Sequence, residues 1–153
     1  MGVLYTVVPL EEQIADYLLD VGATVPGWTT ASRNPTPREI RTVCTALLNL
    51  KIEMLSPPVY AWQVMIEGLR DPENEPWTIL NVDHFNGDEN APHSIWFEKG
   101  WPSLILRIVN ALSSNCGPLV IIPDTGCTPI VVSTSDDVGD LLSTWEHTHG
   151  CDR

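Results

Sequence analysis

The fold is decided by residues 94–133, which read SIWFEKGWPSLILRIVNALSSNCGPLVIIPDTGCTPIVVS. Large apolar residues within this stretch recur at the spacing that places them in one stripe along a helix. A proline is tolerated in the first turn of a helix because its missing N–H would be unpaired there anyway. These features predict a helix from Pro102 to Ser113 with a buried stripe of Leu104, Ile105, Ile108, Val109 and Leu112.

A broad apolar stripe on a helix needs a sheet to cover it, and short runs of aromatic or β-branched residues flank this helix. One run precedes the helix at Ile95–Phe97, and two follow it at Leu119–Ile122 and Ile130–Val132. The segment Pro123–Pro129 supplies the turn between the last two. Residues 94–133 therefore predict a β-α-β-turn-β unit, whose helical connection suits a right-handed crossover between parallel strands.

Outside this unit, hydrophobic periodicity predicts further strands and helices. The strands are Val3–Val8, Lys51–Leu55, Val59–Gly68 and Trp77–His84, and the helices are Glu11–Val21, Pro37–Asn49 and a last one from Asp136 or Asp137 to about His147. Strands from residues 59, 77 and 95 onward are expected to form one meander. The sum is an α+β fold in a single domain, residues 1–153, with a mainly antiparallel sheet of roughly six or seven strands and about four helices.

Two helix details follow from the same spacing. The run Thr36-Pro37-Arg38-Glu39 predicts a capping box, in which Thr36 accepts from free N–H groups and Glu39 reaches back to the cap. For the helix Glu11–Val21, the predicted buried face consists of Ile14, Tyr17, Leu18 and Val21.

Charge excludes one class of partner. The chain has a formal net charge of −12 at pH 7, whereas binding nucleic acid through phosphates depends on Lys and Arg. No apolar run approaches the ~18 residues that span a bilayer, and the N-terminus lacks a basic and apolar secretory signal. We therefore expect a cytoplasmic protein with a basic or neutral protein partner, no nucleic acid and no membrane partner.

Residues able to ligate metal occur in two places. Asp83, His84 and His93 lie around one predicted hairpin end, and His147, His149 and Cys151 alternate in the tail. Neither set has the spacing of a known metal motif such as H-E-x-x-H or a calcium loop. Since no nucleophile arrangement is recognisable either, the sequence predicts no cofactor, no metal and no catalytic residues.

Six tryptophans are many for this length. Trp62 and Trp145 fall on apolar stripes and are expected in the core, whereas two others lie in predicted loops, where they would serve as interface anchors. Together with acidic residues that would steer a basic partner, they form the predicted binding site: Trp28, Trp101, Glu73, Glu75, Asp88 and Glu89.

The resulting hypothesis is a small acidic cytoplasmic protein that binds another protein, with a bacterial immunity protein that inhibits a basic toxin as the closest class. Two alternatives stay open. One is a metal-assisted hydrolase that uses Asp83, His84, His93 and Glu98. The other is a structural module that self-assembles through an exposed sheet edge.

Overall fold

The computed structural model describes residues 4–23, 32–47, 50–55, 62–68, 77–98, 102–124 and 128–148. The elements are β1 (Leu4–Pro9), α1 (Glu12–Asp20), α2 (Pro37–Ala46), β2 (Leu50–Met54), β3 (Trp62–Gly68), β4 (Trp77–Val82), β5 (Ile95–Glu98), α3 (Pro102–Cys116), β6 (Leu119–Pro123), β7 (Ile130–Val132) and α4 (Val138–Thr148). The predicted α+β class is confirmed, and the sheet has seven strands. Among the described residues, none of the helices combines the length and the hydropathy of a membrane-spanning segment.

The strands form one sheet in the order β2-β3-β4-β5-β1-β6-β7, and every neighbouring pair is antiparallel. The meander of β3, β4 and β5 is therefore confirmed. Strands β5 and β6 both run antiparallel to β1, so they are parallel to each other. The predicted crossover through α3 is thus present in a split form, because β1 lies between the two parallel strands.

The main core lies between one face of the sheet and the helices α2, α3 and α4. The predicted stripe of α3 is fully buried there. Trp62 and Trp145 are both buried, as expected, and the Trp145 ring lies 5.4 Å from the ring of Tyr5 on β1. Burial of this stripe and of the aromatic rings contributes favourably to folding by removing apolar surface from water.

A smaller cluster lies on the opposite face, where α1 packs on one end of the sheet. Its strand residues come from β1, β6 and β7: Val8, Val120, Ile122 and Val131. From α1 it takes Ile14, Ala15 and Leu18. The prediction that Tyr17 and Val21 belong to the buried face is wrong, because they are 43% and 41% exposed. A helix packed over one end of a sheet buries a narrower stripe than hydrophobic spacing suggests.

Helix α2 begins as predicted. Thr36 Oγ1 accepts from the Glu39 N–H at 3.1 Å, and Glu39 Oε1 accepts from the Thr36 N–H at 2.9 Å. The helix ends at Ala46, before the predicted Asn49, whereas α3 continues past the predicted Ser113 to Cys116. Helix ends depend on local hydrogen bonds that periodicity does not report.

Candidate protein interface

Most of the predicted binding site lies outside the described residues. This applies to Trp28, Trp101, Glu73 and Glu75, whose role stays a prediction. The other two, Asp88 and Glu89, lie in the loop between β4 and β5.

That loop is bound to α2 by Glu89. Its Oε1 accepts from Arg41 Nε at 2.6 Å and from Trp62 Nε1 at 3.4 Å. The hydrogen bond from Arg41 lowers the pKa of the Glu89 carboxyl. Asp88 is exposed, and its Oδ1 accepts from the N–H of Asn90 at 2.9 Å. Glu89 already has two partners within the chain, so of these two residues Asp88 has the carboxylate with a single described partner.

Three residues of the hydrolase hypothesis, Asp83, His84 and His93, lie on the same loop, whereas Glu98 is the last residue of β5. His84 is on the surface with φ of 52°, and its Nε2 lies 3.6 Å from Asp83 Oδ2. The ring of His93 instead contacts Phe85, at 5.8 Å between centroids. Within the described ranges, no group of three or more His, Cys, Asp or Glu residues could hold a metal ion. The loop therefore provides no described metal centre for hydrolysis.

Two thiols are buried in the main core. Burial raises the pKa of Cys44 to about 12 and that of Cys116 to about 11. Cysteine reacts as the thiolate, so both groups are held in their unreactive protonated form at neutral pH. Neither is a candidate nucleophile.

Arg33 and Glu39 form an ion pair at the edge of the main core, beside Cys116. Arg33 donates from Nη1 to Glu39 Oε1 at 2.8 Å and from Nη2 to Glu39 Oε2 at 2.7 Å. Arg33 also donates to the carbonyl oxygen of Asn115 at 3.2 Å, near the C-terminus of α3, where a cation is favourable. The Arg33 hydrogen bond lowers the pKa of Glu39, and Glu39 in turn raises the pKa of Arg33. Arg33 thus connects α2 to α3 through hydrogen bonds, so Arg33 and Glu39 have a structural role.

The surface best suited to a partner is the side of β2–β5 that faces away from the main core. We name it the open face. The cluster beneath α1 takes no described side chain from these four strands. The open face comprises the residues that alternate with the buried ones: Lys51, Glu53, Gln63, Met65, Glu67, Trp77, Ile79, Asn81, Trp96 and Glu98. All of them except Asn81 are partly or fully exposed.

The register arranges these side chains in rows across the sheet. In the central row, Met65 pairs with Ile79, and the row continues to Glu53 on one side and Glu98 on the other. Directly opposed residues on one face have Cβ atoms about 5 Å apart. The row is therefore an apolar centre with a carboxylate at each end.

The two outer rows place an indole on either side of this centre. In one row Glu67 lies between Lys51 and Trp77, and in the other Asn81 lies between Gln63 and Trp96. Apolar and aromatic residues surrounded by polar ones are the usual anatomy of a protein interface. Three carboxylates against one lysine make the open face acidic.

Asn81 adds an unusual feature to the open face. It is 7% exposed, and its Oδ1 accepts from Gln63 Nε2 at 2.8 Å. Its Nδ2 is buried and finds no acceptor among the described residues. Buried donors are nearly always paired, so an unpaired one calls for an explanation.

The sequence contained a signal for the open face that loop-based reasoning missed. The sequence predicts both β3 and β4 as strands, and Met65, Trp77 and Ile79 fall on their solvent side. An antiparallel sheet with one solvated face normally places polar residues there. Met65, Trp77 and Ile79 depart from that pattern, which makes this surface a candidate binding site.

No model of a protein family matches the chain, and neither a curated protein nor a solved structure is significantly similar to it. The class of protein is therefore inferred from the open face and from the charge of the chain.

Proposed function

We propose that this protein acts by binding another protein whose contact surface is basic and carries apolar groups. The observation that carries the proposal is the open face, where Met65 and Ile79 lie between Glu53 and Glu98. A cluster of half-exposed apolar side chains with a polar rim is typical of a binding surface. The closest class is the immunity-type inhibitor that neutralises a basic toxin, in the cytoplasm.

The net charge of −12 supports this choice of partner. A negative surface attracts a basic protein over several ångströms and speeds encounter, while the apolar centre slows dissociation. Trp77 and Trp96 suit the second role because aromatic residues contribute much of the energy at interface centres. Encounter and retention would thus depend on different residues of one surface.

Affinity capture tests the proposal. The tagged protein is exposed to a lysate of its source cells, with a wash at low salt and another at about 0.5 M NaCl, which shortens the screening length to roughly 4 Å. We expect a basic protein that is retained at low salt and lost at high salt. The variant Trp77→Ala/Trp96→Ala should lose it, whereas Leu19→Ala should retain it, because Leu19 is 65% exposed on α1, away from the open face.

A second variant guards against misfolding of the first. Glu53→Lys and Glu98→Lys change solvated side chains, so the fold should survive while the basic partner is repelled. Retention of the same protein by the tryptophan and the lysine variants alike would refute binding at the open face.

Self-assembly is a second candidate, and one observation favours it. Leu55 N donates to Gln63 O at 2.9 Å, which shows which residue pairs of β2 and β3 are hydrogen-bonded. Hydrogen-bonded and open positions alternate in an antiparallel pair, so Leu50, Ile52 and Met54 direct their N–H and C=O groups outward. Such an edge can pair with a second copy. The mass in solution distinguishes the two candidates, since only self-assembly yields a stable homo-oligomer without a partner.

A further inference from the structure

The pairing of the neighbouring strands shows which residues of β7 direct their backbone N–H and C=O groups toward the outer edge of the sheet. Leu10 N donates to Pro118 O at 3.1 Å, and Asp124 N donates to Leu4 O at 2.9 Å. These bonds lie at the two ends of the β1–β6 ladder. Since hydrogen-bonded and open pairs alternate, the pairs Thr6–Ile122 and Val8–Val120 are hydrogen-bonded.

The same alternation of backbone directions determines the hydrogen bonds between β6 and β7. Val120 and Ile122 direct their backbone groups to β1, so Leu119 and Ile121 direct theirs to β7, where they pair with Val132 and Ile130. Val131 lies between those two residues. It must therefore direct both its N–H and its C=O away from β6, toward the outer edge of the sheet.

The neighbouring positions on this edge are already satisfied or lack a donor. Pro129 has no N–H. Ser133 N donates to Asp136 Oδ2 at 2.8 Å, and Ser133 O accepts from Asp136 N at 3.1 Å and from Asn110 Nδ2 at 2.8 Å. The backbone groups of Val131 have no partner among the described residues, although Val131 is only 9% exposed. Buried backbone groups are rarely left unpaired.

A cavity of about 370 Å³ lies against this edge. Gly22 and Ala23, which follow α1, line it on one side of the sheet, and Leu141 and Thr144 of α4 line it on the other. Asp136 contributes to its wall. The cavity therefore occupies the place where one more strand would continue the sheet, with walls above and below. We name it the β7 slot.

We propose that the β7 slot binds a short extended segment of a partner protein, which pairs antiparallel with β7. One residue of the segment exchanges both backbone hydrogen bonds with Val131. Strand addition of this kind uses main-chain bonds for affinity and side-chain pockets for specificity. The segment is short because β7 has three residues and Pro129 precedes it.

The walls define the chemistry of the segment. In a paired position, the central side chain lies on the same side as Val131, next to Ala23, which suits a small apolar residue. Its two neighbours point to Leu141 and Thr144, which suits side chains with a methyl or hydroxyl group. The carboxylate of Asp136 favours a basic residue at one end. The open face lies on β2–β5 and the slot lies beside β7. Binding at the β7 slot can therefore be confirmed or refuted independently of the proposed function.

An NMR titration tests the proposal with the acetylated, amidated peptide Lys-Thr-Val-Thr-Lys. We expect the amide of Val131 to shift and to become protected from hydrogen exchange. The control peptide is N-methylated at its valine and so cannot donate to Val131 O. It should bind about tenfold more weakly, the change expected for one lost hydrogen bond.

A pair of variants localises the effect. Thr144 and Thr42 are both exposed on helices, and each hydroxyl donates to the carbonyl oxygen four residues earlier, at 3.1 and 3.0 Å. Thr144→Trp should fill the β7 slot and abolish the response, whereas Thr42→Trp on α2 should leave it unchanged.

Three outcomes would overturn the proposal. The first is no response of Val131 to the peptide, and the second is equal binding of the peptide by the two tryptophan variants. The third is a Val131 amide that is protected from exchange before any peptide is added. Protection that disappears on dilution would identify a second copy as the occupant, and protection independent of concentration would identify another segment of the same chain.

Discussion

Arg41 Nε lies 2.6 Å from Glu89 Oε1, which joins the middle of α2 to the loop between β4 and β5. The guanidinium carbon of Arg41 also lies 5.3 Å from the centre of the Trp62 ring, and the indole of Trp62 donates to the same carboxylate. A cation, a carboxylate and an aromatic ring thus hold one another in a closed triangle. The loop is fixed by the helix, and the carboxylate of Glu89 is part of that fixation.

We expect Glu89→Ala to lower the free energy of unfolding by about 1 kcal/mol, because the pair is only partly exposed and Trp62 loses an acceptor. Urea unfolding measures the change. Asp88→Asn is the matched control, since an asparagine keeps the oxygen that accepts from Asn90, and its effect should be close to zero. In a double-mutant cycle, no coupling between Arg41→Ala and Glu89→Ala would contradict the triangle.

Stability should depend on pH through Glu39. Its pKa is lower in the folded state because of the Arg33 hydrogen bond, whereas the unfolded carboxyl titrates near pH ~4.3. The stabilisation is therefore present above pH ~4.3 and is lost as the pH falls through the folded pKa. We expect Glu39→Gln to be less stable than wild type at pH 7, with the difference vanishing in more acid solution. A constant difference from pH 7 to pH 2 would rule out the linkage.

Asn81→Val removes a buried donor without an acceptor, and it also removes the acceptor of the partly exposed Gln63 amide, which water can replace. The free energy of unfolding should therefore rise, by less than about 1 kcal/mol. Gln63→Leu provides a test of opposite sign, because it takes the donor away from Asn81 Oδ1 and should destabilise the fold by a similar amount. Thermal unfolding compares the two variants. If both were destabilising, the Nδ2 of Asn81 would have a partner in solution.

The capping box of α2 predicts that Thr36→Ala costs about 1 kcal/mol of stability, the usual effect of losing an N-cap oxygen. Thr42→Ala is the control within the same helix, where alanine is the better helix former and the side chain is exposed. Chemical denaturation should show a loss for the first variant and no loss for the second. Equal effects would mean that the cap does not stabilise α2.

Once the captured protein has been purified, we expect the acidic residues of the open face to affect its association rate and the aromatic residues to affect its dissociation rate. Glu53→Gln/Glu67→Gln/Glu98→Gln should reduce the association rate about tenfold at low salt and flatten its dependence on ionic strength. Trp96→Ala should act on the dissociation rate. Surface plasmon resonance separates the two rates. Charge variants that changed only dissociation would contradict electrostatic steering.

Much of the architecture follows from local patterns in the chain. The capping box at Thr36 and the strand β3 each depend on neighbours a few residues apart, and the sequence predicts both. The stripe of α3 likewise required only helical spacing. Such signals are local because a helix repeats every 3.6 residues and a strand every two.

The candidate site could not be obtained in the same way. Met65, Ile79 and Glu98 become neighbours only through the registers of three strands. Sequence reasoning placed the binding site in loops because two tryptophans and four acidic residues fall in predicted loops and turns. It also counted Glu89 as available to a partner, whereas Arg41, 48 residues away, takes up its carboxylate.

The sequence by itself determined the elements, the strongly acidic charge and the class of fold, since each depends on composition or on local spacing. Only the tertiary structure decided that β1 lies between β5 and β6, that α1 covers just one end of its face, and that Val131 directs its backbone outward. Those features depend on contacts between segments that are distant in the chain. The energy of such contacts cannot be inferred from any short stretch of sequence.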